Sequence, residues 1–126
     1  MSQIAFSTPD EALNRYLGGW CLYQVTACRL HGAHLPNIKN GGAFGFRDQL
    51  QDVLALLYTW PQRSREQLLL AASRHVWRRG TCSTWSATAQ GAGVRTRISD
   101  DLLWLAYVLC RYCAATGDWG VLEEQV

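Results

Sequence analysis

The stretch Gly41-Gly42-Ala43-Phe44-Gly45-Phe46-Arg47-Asp48-Gln49-Leu50-Gln51-Asp52 decides how the chain is read. Its three glycines make a loop that can take positive φ and let a ligand approach the backbone. An apolar, helix-favouring run follows, Val53-Leu54-Ala55-Leu56-Leu57. Arg47 and Asp48 therefore stand where loop becomes helix. The first helical turn has free backbone N–H groups and a positive dipole end, so an acid is favourable there. One reading is an N-cap with a neighbouring surface arginine. Capping, however, needs a single Asp, Asn or Ser. It does not call for two aromatics, three glycines, an Arg-Asp pair and a Gln-x-x-Asp arrangement crowded together.

A second junction of the same kind lies at Gly93-Val94-Arg95-Thr96-Arg97-Ile98-Ser99-Asp100-Asp101-Leu102-Leu103-Trp104-Leu105. A polar loop precedes it, and an almost wholly apolar run through Cys110 follows. Ser99-Asp100-Asp101 reads as the cap of a helix buried on most sides. Thr116-Gly117-Asp118 reads as its C-terminal cap and turn, with a last short helix from about Trp119.

Both motifs resemble glycoside hydrolase family 94, the inverting phosphorylases of cellobiose and related β-glucosides. They are most similar to the phosphorylase-like region of cyclic β-1,2-glucan synthases. Thr116-Gly117-Asp118 through Leu122-Glu123-Glu124 is a weaker match, and Thr8-Pro9-Asp10 and Leu22-Tyr23-Gln24 also fit. The resemblance runs in register from about Ser7 to the C-terminus.

The remaining sequence fits an all-α reading in one domain, residues 1–126, with no internal boundary. A chain of 126 residues can bury a modest core. With 48% hydrophobic residues, six of them Trp, it is globular rather than disordered. A formal charge of +2 gives no basis for steering towards nucleic acid. Five cysteines without a secretory leader read as reduced thiols in a cytoplasmic protein. No apolar run reaches the ~18 residues of a membrane span.

Ser7-Thr8-Pro9-Asp10-Glu11 is a helix-start signal: a hydroxyl cap, Pro in the first turn, then acids. Leu13, Leu17, Trp20, Cys21, Val25 and Cys28 follow at helical spacing, interrupted by Gly18 and Gly19. Gly32 ends that helix. His31 and His34 lack an acidic or thiol partner at metal-binding spacing, so solvated or hydrogen-bonded histidines are the favoured reading. A long loop, 34–45, leads to a helix over about Asp48 to Trp60 with Leu50, Val53, Leu54 and Leu57 on one face. Pro61 helps end it. Ser64 opens the next helix, capped in Ser-x-x-Gln style by Gln67. Leu68, Leu69, Ala72 and Val76 form its buried stripe. Arg74, Arg78 and Arg79 read as a solvated helix end rather than a phosphate or nucleic-acid site. Gly80 stops it, and no convincing strand appears in the second long loop, 81–93. Cys110 and Cys113 make a Cys-x-x-Cys inside a helix without a βαβ context, which favours core packing over redox chemistry.

Alternating apolar and amphipathic helices are the layout of hairpins in two layers. The resemblance implies an (α/α)6 barrel, of which about four of twelve helices are present here. A third of a ring cannot close, so an apolar face should stay uncovered unless the remainder of the barrel, or a second copy, supplies the cover.

The resemblance also implies chemistry. Inverting cleavage needs an acid to protonate the leaving oxygen and a nucleophile on the opposite face. In phosphorolysis the nucleophile is inorganic phosphate, a co-substrate; no cofactor and no metal are implied. Asp48 would accept hydrogen bonds from glucosyl hydroxyls, since an ionised carboxylate is an acceptor only. Arg47 would orient Asp48 or balance an anion. Gln51 and Asp52 would support them from behind. Arg95, Arg97, Asp100 and Asp101 stand at the second junction, where Asp101 either orders the site, touches sugar or simply caps. Trp85 either stacks on a sugar face or packs beneath its loop. The family's general acid lies in a Trp-Asn-Asp segment that is expected downstream of this chain, so no catalytic residue is assigned and the chain alone is expected to be inactive. Gly117-Asp118-Trp119-Gly120 only imitates that segment, and Asp118 is not assigned as the acid. Where family members often carry an arginine six residues before Asp48, this chain has Gly42. The expected ligands are a β-glucoside or glucose 1-phosphate. The competing reading is a non-catalytic helical module that binds a partner through its apolar face.

Overall fold

The computed structural model describes the backbone of residues 5–32, 45–74, 83–85, 93–95 and 98–126, with side chains for 5–27, 45–73, 98–101 and 103–126. Five α-helices carry these residues: α1 (Glu11–Arg15), α2 (Cys21–Gly32), α3 (Phe46–Leu56), α4 (Pro61–Arg74) and α5 (Asp101–Thr116). A π-turn, Tyr16–Trp20, joins α1 to α2, and a 3₁₀ turn, Gly120–Glu123, follows α5. The all-α class expected from the sequence holds for this architecture.

The first helix starts within the expected segment, but its cap is an aspartate instead of a hydroxyl. Asp10 sits at the N-cap in extended conformation, and its carboxylate accepts from the Ala12 and Leu13 amides. Pro9 therefore precedes the cap instead of occupying the first turn. Gly18 and Gly19 do not break the helix but widen it, so that the Cys21 amide donates to the Tyr16 carbonyl, five residues back.

The core lies between α3, α4 and α5. Phe46, Leu50, Val53 and Leu57 from the first hairpin arm meet Leu68 and Ala71 of α4 and Val108, Tyr112 and Cys113 of α5, with Val121 closing one end. Leu50 is 0% exposed, and burying one such side chain contributes about 1.5–3 kcal/mol. The expected face of α3 is correct. On α4 the buried stripe is rotated towards Ala71, and Ala72 is only half-buried.

Residues 57–60 join α3 to α4 as a helical hairpin, and Pro61 opens α4 instead of closing α3. A proline fits the first helical position, where its missing N–H costs nothing. Ser64 is consequently inside the helix, fully buried, and its hydroxyl donates to the Val53 carbonyl at 3.2 Å. Gln67 donates to Gln49 Oε1 at 2.8 Å. The expected Ser-x-x-Gln cap is therefore two contacts that hold the hairpin together.

Helix α5 departs from the expectation of burial on most sides. Val108, Tyr112 and Cys113 are buried, but Leu103 is 68% and Tyr107 51% exposed. Among the described residues, α3 and α4 are the helices packed closely on α5, and the side carrying Leu103 and Tyr107 is left as an uncovered apolar face. Cys110 is exposed, and it and Cys113 are free thiols. Gly117 ends α5 at φ 71°, ψ 4°, its amide donating to the Cys113 carbonyl. This is the left-handed cap for which glycine is best suited.

The second loop holds one surprise. Ser83–Trp85 (β1) pairs antiparallel with Gly93–Arg95 (β2), Trp85 opposite Gly93, and β1 contacts α3. Three residue pairs are too short for a periodic sequence signal. Among the described residues, no helix is long and apolar enough to cross a membrane.

Candidate functional site

At the start of α3, Gly45 takes the N-cap position in extended conformation, φ −67° and ψ 127°, and has no side chain with which to cap. Phe46 follows as a core anchor, 4% exposed. Anchoring Phe46 leaves the next two residues, Arg47 and Asp48, on the outside. Asp48 is thus the third helical residue and not the cap. Its carboxylate folds back over Gly45 so closely that a Cβ there would overlap it. Negative charge is favourable at this end of the helix.

At the start of α5, Asp100 holds the N-cap position but makes no side-chain capping bond. For Asp100 that overturns the expected capping role, and the reason lies partly across the interface. Asp100 Oδ2 accepts from Arg47 Nη1 at 2.9 Å and from Trp104 Nε1 at 3.2 Å. Hydrogen bonds from Arg47 first, and Trp104 second, hold the Asp100 carboxyl below its ordinary value. Asp101, the first helical residue, is 2% exposed and makes contacts of its own.

The two junctions are therefore one place. Asp100 chiefly holds the Arg47 guanidinium in its charged form, and the negative charges of Asp48 and Asp101 add to the effect. Among the described residues, four charged side chains from motifs some fifty residues apart gather there: one cation and three carboxyls.

Of the other expected site residues, Gln51 is exposed and Asp52 half-buried, one turn beyond Arg47 and Asp48 on the same helix. Trp85 and Arg95 lie on β1 and β2, but their side chains, and Arg97 entirely, fall outside the described residues. So do the glycines at 41 and 42 and residues 33–40, including His34, while His31 is described only as α2 backbone. Trp104 was missed by sequence reasoning. Its position four residues after Asp100 was the available signal, because i and i+4 meet on a helix.

Asp118 belongs to a different end of the molecule. Helix α5 has 16 residues, which at about 1.5 Å each puts its ends about 24 Å apart. Asp118 Oδ2 accepts from Tyr112 Oη at 2.7 Å and from Arg65 Nε at 3.0 Å. Arg65 also pairs with Glu124. These contacts fasten the turn after α5 to α4. Among the described residues, no group of three or more His, Cys, Asp or Glu could hold a metal.

A family model described as "Glycosyl hydrolase 94 superfamily, catalytic domain" matches residues 1–126. The chain is 44% identical over 123 residues to cyclic beta-(1,2)-glucan synthase NdvB of Rhizobium meliloti (strain 1021), covering 98% of this chain and 4% of that protein. It is 29% identical over 124 residues to solabiose phosphorylase of Paenibacillus borealis, covering 98% and 14%. It is 22% identical over 151 residues to N,N'-diacetylchitobiose phosphorylase of Vibrio proteolyticus, covering 99% and 19%. The chain thus spans less than a fifth of the length of these relatives. No solved structure matches it.

Proposed function

Since this chain belongs to the glycosyl hydrolase 94 superfamily as part of its catalytic domain, we propose that it supplies the glucosyl-binding junction of an (α/α)6 barrel. The activity proposed for the whole domain is phosphorolysis or glycosyl transfer on a β-glucoside. One observation carries the reading: Arg47 stands among Asp48, Asp100 and Asp101, so both family motifs converge on the same arginine.

Asp48 accepts hydrogen bonds from the hydroxyls of a glucosyl unit. Exposed carboxylates suit this role because each oxygen offers acceptor lone pairs and no competing donor. Arg47 keeps the three neighbouring carboxyls from repelling one another outright, and Asp101 orders the start of α5. In an inverting phosphorolysis, phosphate attacks the anomeric carbon as the C–O bond to the leaving group breaks, and a protonated acid gives that oxygen its proton. Asp100 does not suit that part, because the Arg47 guanidinium bonded to it holds its carboxyl below the ordinary value. The acid belongs to another part of the domain.

Titration calorimetry with methyl β-glucoside tests the binding role. The expected result is measurable binding that Asp48→Ala abolishes; binding indifferent to that substitution rejects it. Phosphate release from glucose 1-phosphate, with a β-glucoside acceptor, should be absent for this chain alone.

A second reading draws on Leu103 and Tyr107, one turn apart on α5 and both more than half exposed. That face suits a helical partner, whether the remainder of the barrel or a second copy. Light scattering after size exclusion, with Leu103→Glu as the control, separates a self-associating chain from a monomer.

A further inference from the structure

We infer that Trp104 and Asp100 are positioning residues that fix the Arg47 guanidinium at the α3–α5 junction. The inference rests on the sugar-binding reading only for its ligand arm; the geometry stands independently of it.

Asp100 occupies an N-cap position, where an aspartate ordinarily turns its carboxylate onto the free backbone amides of its own helix. Here it does not, and the same oxygen, Oδ2, receives both Trp104 Nε1 and Arg47 Nη1. An indole N–H is a donor only, in a ring plane that cannot swivel at its tip. The Trp104 ring is itself held, half-buried against the core, with its centre 5.7 Å from that of Tyr107 and the two ring planes at 88°. Trp104 therefore selects the Asp100 rotamer, and Asp100 selects the position of Arg47. Without that anchor an arginine side chain 45% exposed would sample many rotamers. Asp100 engages the guanidinium through one nitrogen, leaving further N–H donors of its planar fork for Asp48 or a ligand.

Two variants separate the links. Trp104→Phe keeps an aromatic ring and removes the N–H. Asp100→Asn keeps the shape and one carbonyl oxygen but removes the charge. The direct readout is nitrogen-15 NMR of the Arg47 guanidinium, whose rotation about the Cζ–Nε bond slows when an N–H is anchored. Trp104→Phe should speed that rotation roughly three- to tenfold, the scale of one lost hydrogen bond. Asp100→Asn should do so as well, and the double variant should add little. The urea midpoint of each variant reports folding, so a general loosening is visible separately. Unchanged Arg47 rotation in folded Trp104→Phe would overturn the inference. Methyl β-glucoside is the ligand probe. If Asp48→Ala abolishes its binding and Trp104→Phe leaves both affinity and rotation untouched, the positioning role fails and the sugar site stands. If the wild-type chain binds none while Arg47 rotation still follows Trp104, the sugar site fails and the positioning role stands.

Discussion

Arg65 Nε donates to Asp118 Oδ2 at 3.0 Å, joining α4 to the turn after α5 across 53 positions of sequence. The Tyr112 hydroxyl, and then Arg65, hold the Asp118 carboxyl below the usual carboxylate range. A carboxyl depressed in the fold stabilises it above the unfolded value, about 3.9, and that contribution is lost as pH falls through the folded value. The thermal midpoint should therefore drop below about pH 4. Asp118→Asn should show a shallower acid limb. Superimposable pH profiles for the two proteins would remove Asp118 from that account.

Leu50→Ala leaves a cavity at a position with no exposure. Urea unfolding should report a loss of about 2–5 kcal/mol. Leu103→Ala, on the uncovered face of α5, should cost far less in the monomer.

Ser64→Ala removes a buried hydroxyl bonded to the Val53 carbonyl. The expected cost is about 0.5–1.5 kcal/mol. A helix-capping serine would instead be rescued by Asp or Asn, so Ser64→Asp provides the contrast. At this buried position it should be worse than alanine.

Gly117→Ala places a side chain at φ 71°, with open space around it. Only backbone strain acts, and it should cost about 1–2 kcal/mol. Equilibrium unfolding should show a lower denaturant midpoint with the slope unchanged.

Gly45→Ala tests the first junction without touching a charge. Its φ of −67° is ordinary for alanine, but the new methyl needs the space that the Asp48 carboxylate fills. Stability should change by less than about 1 kcal/mol, because Asp48 can rotate away. Methyl β-glucoside affinity should fall, since the carboxylate is displaced. Equal affinity would argue that the position of Asp48 is irrelevant to binding.

What could be read from the sequence was mostly local. The presence of a helix start near residue 10, the α3 face built on Leu50 and Val53, and the Gly117 stop depend on residues within a few positions of one another. Each has a strong preference that nothing distant overrides. The readings that needed correction depend on remote partners. Asp100 has every attribute of a cap, yet its oxygen is claimed by Arg47, 53 positions earlier. Ser64 and Gln67 have cap spacing, yet Val53 and Gln49 take their hydrogen bonds. Helix α5 is apolar nearly all round, and the sequence does not say which side this chain itself covers. At the site, the glycine-bearing junctions marked Arg47, Asp48, Asp100 and Asp101. That all four surround one guanidinium follows from the packing of α3 against α5.

The π-turn at Tyr16–Trp20 holds one residue more than a regular turn, and both glycines within it have empty surroundings. Shortening the chain by one of them would draw α1 and α2 into a single unbroken rod. Neither flanking helix would have to rotate its contacts. The segment thus works as an expansion joint, a place inside a helix where the length of the gene can change by a single codon.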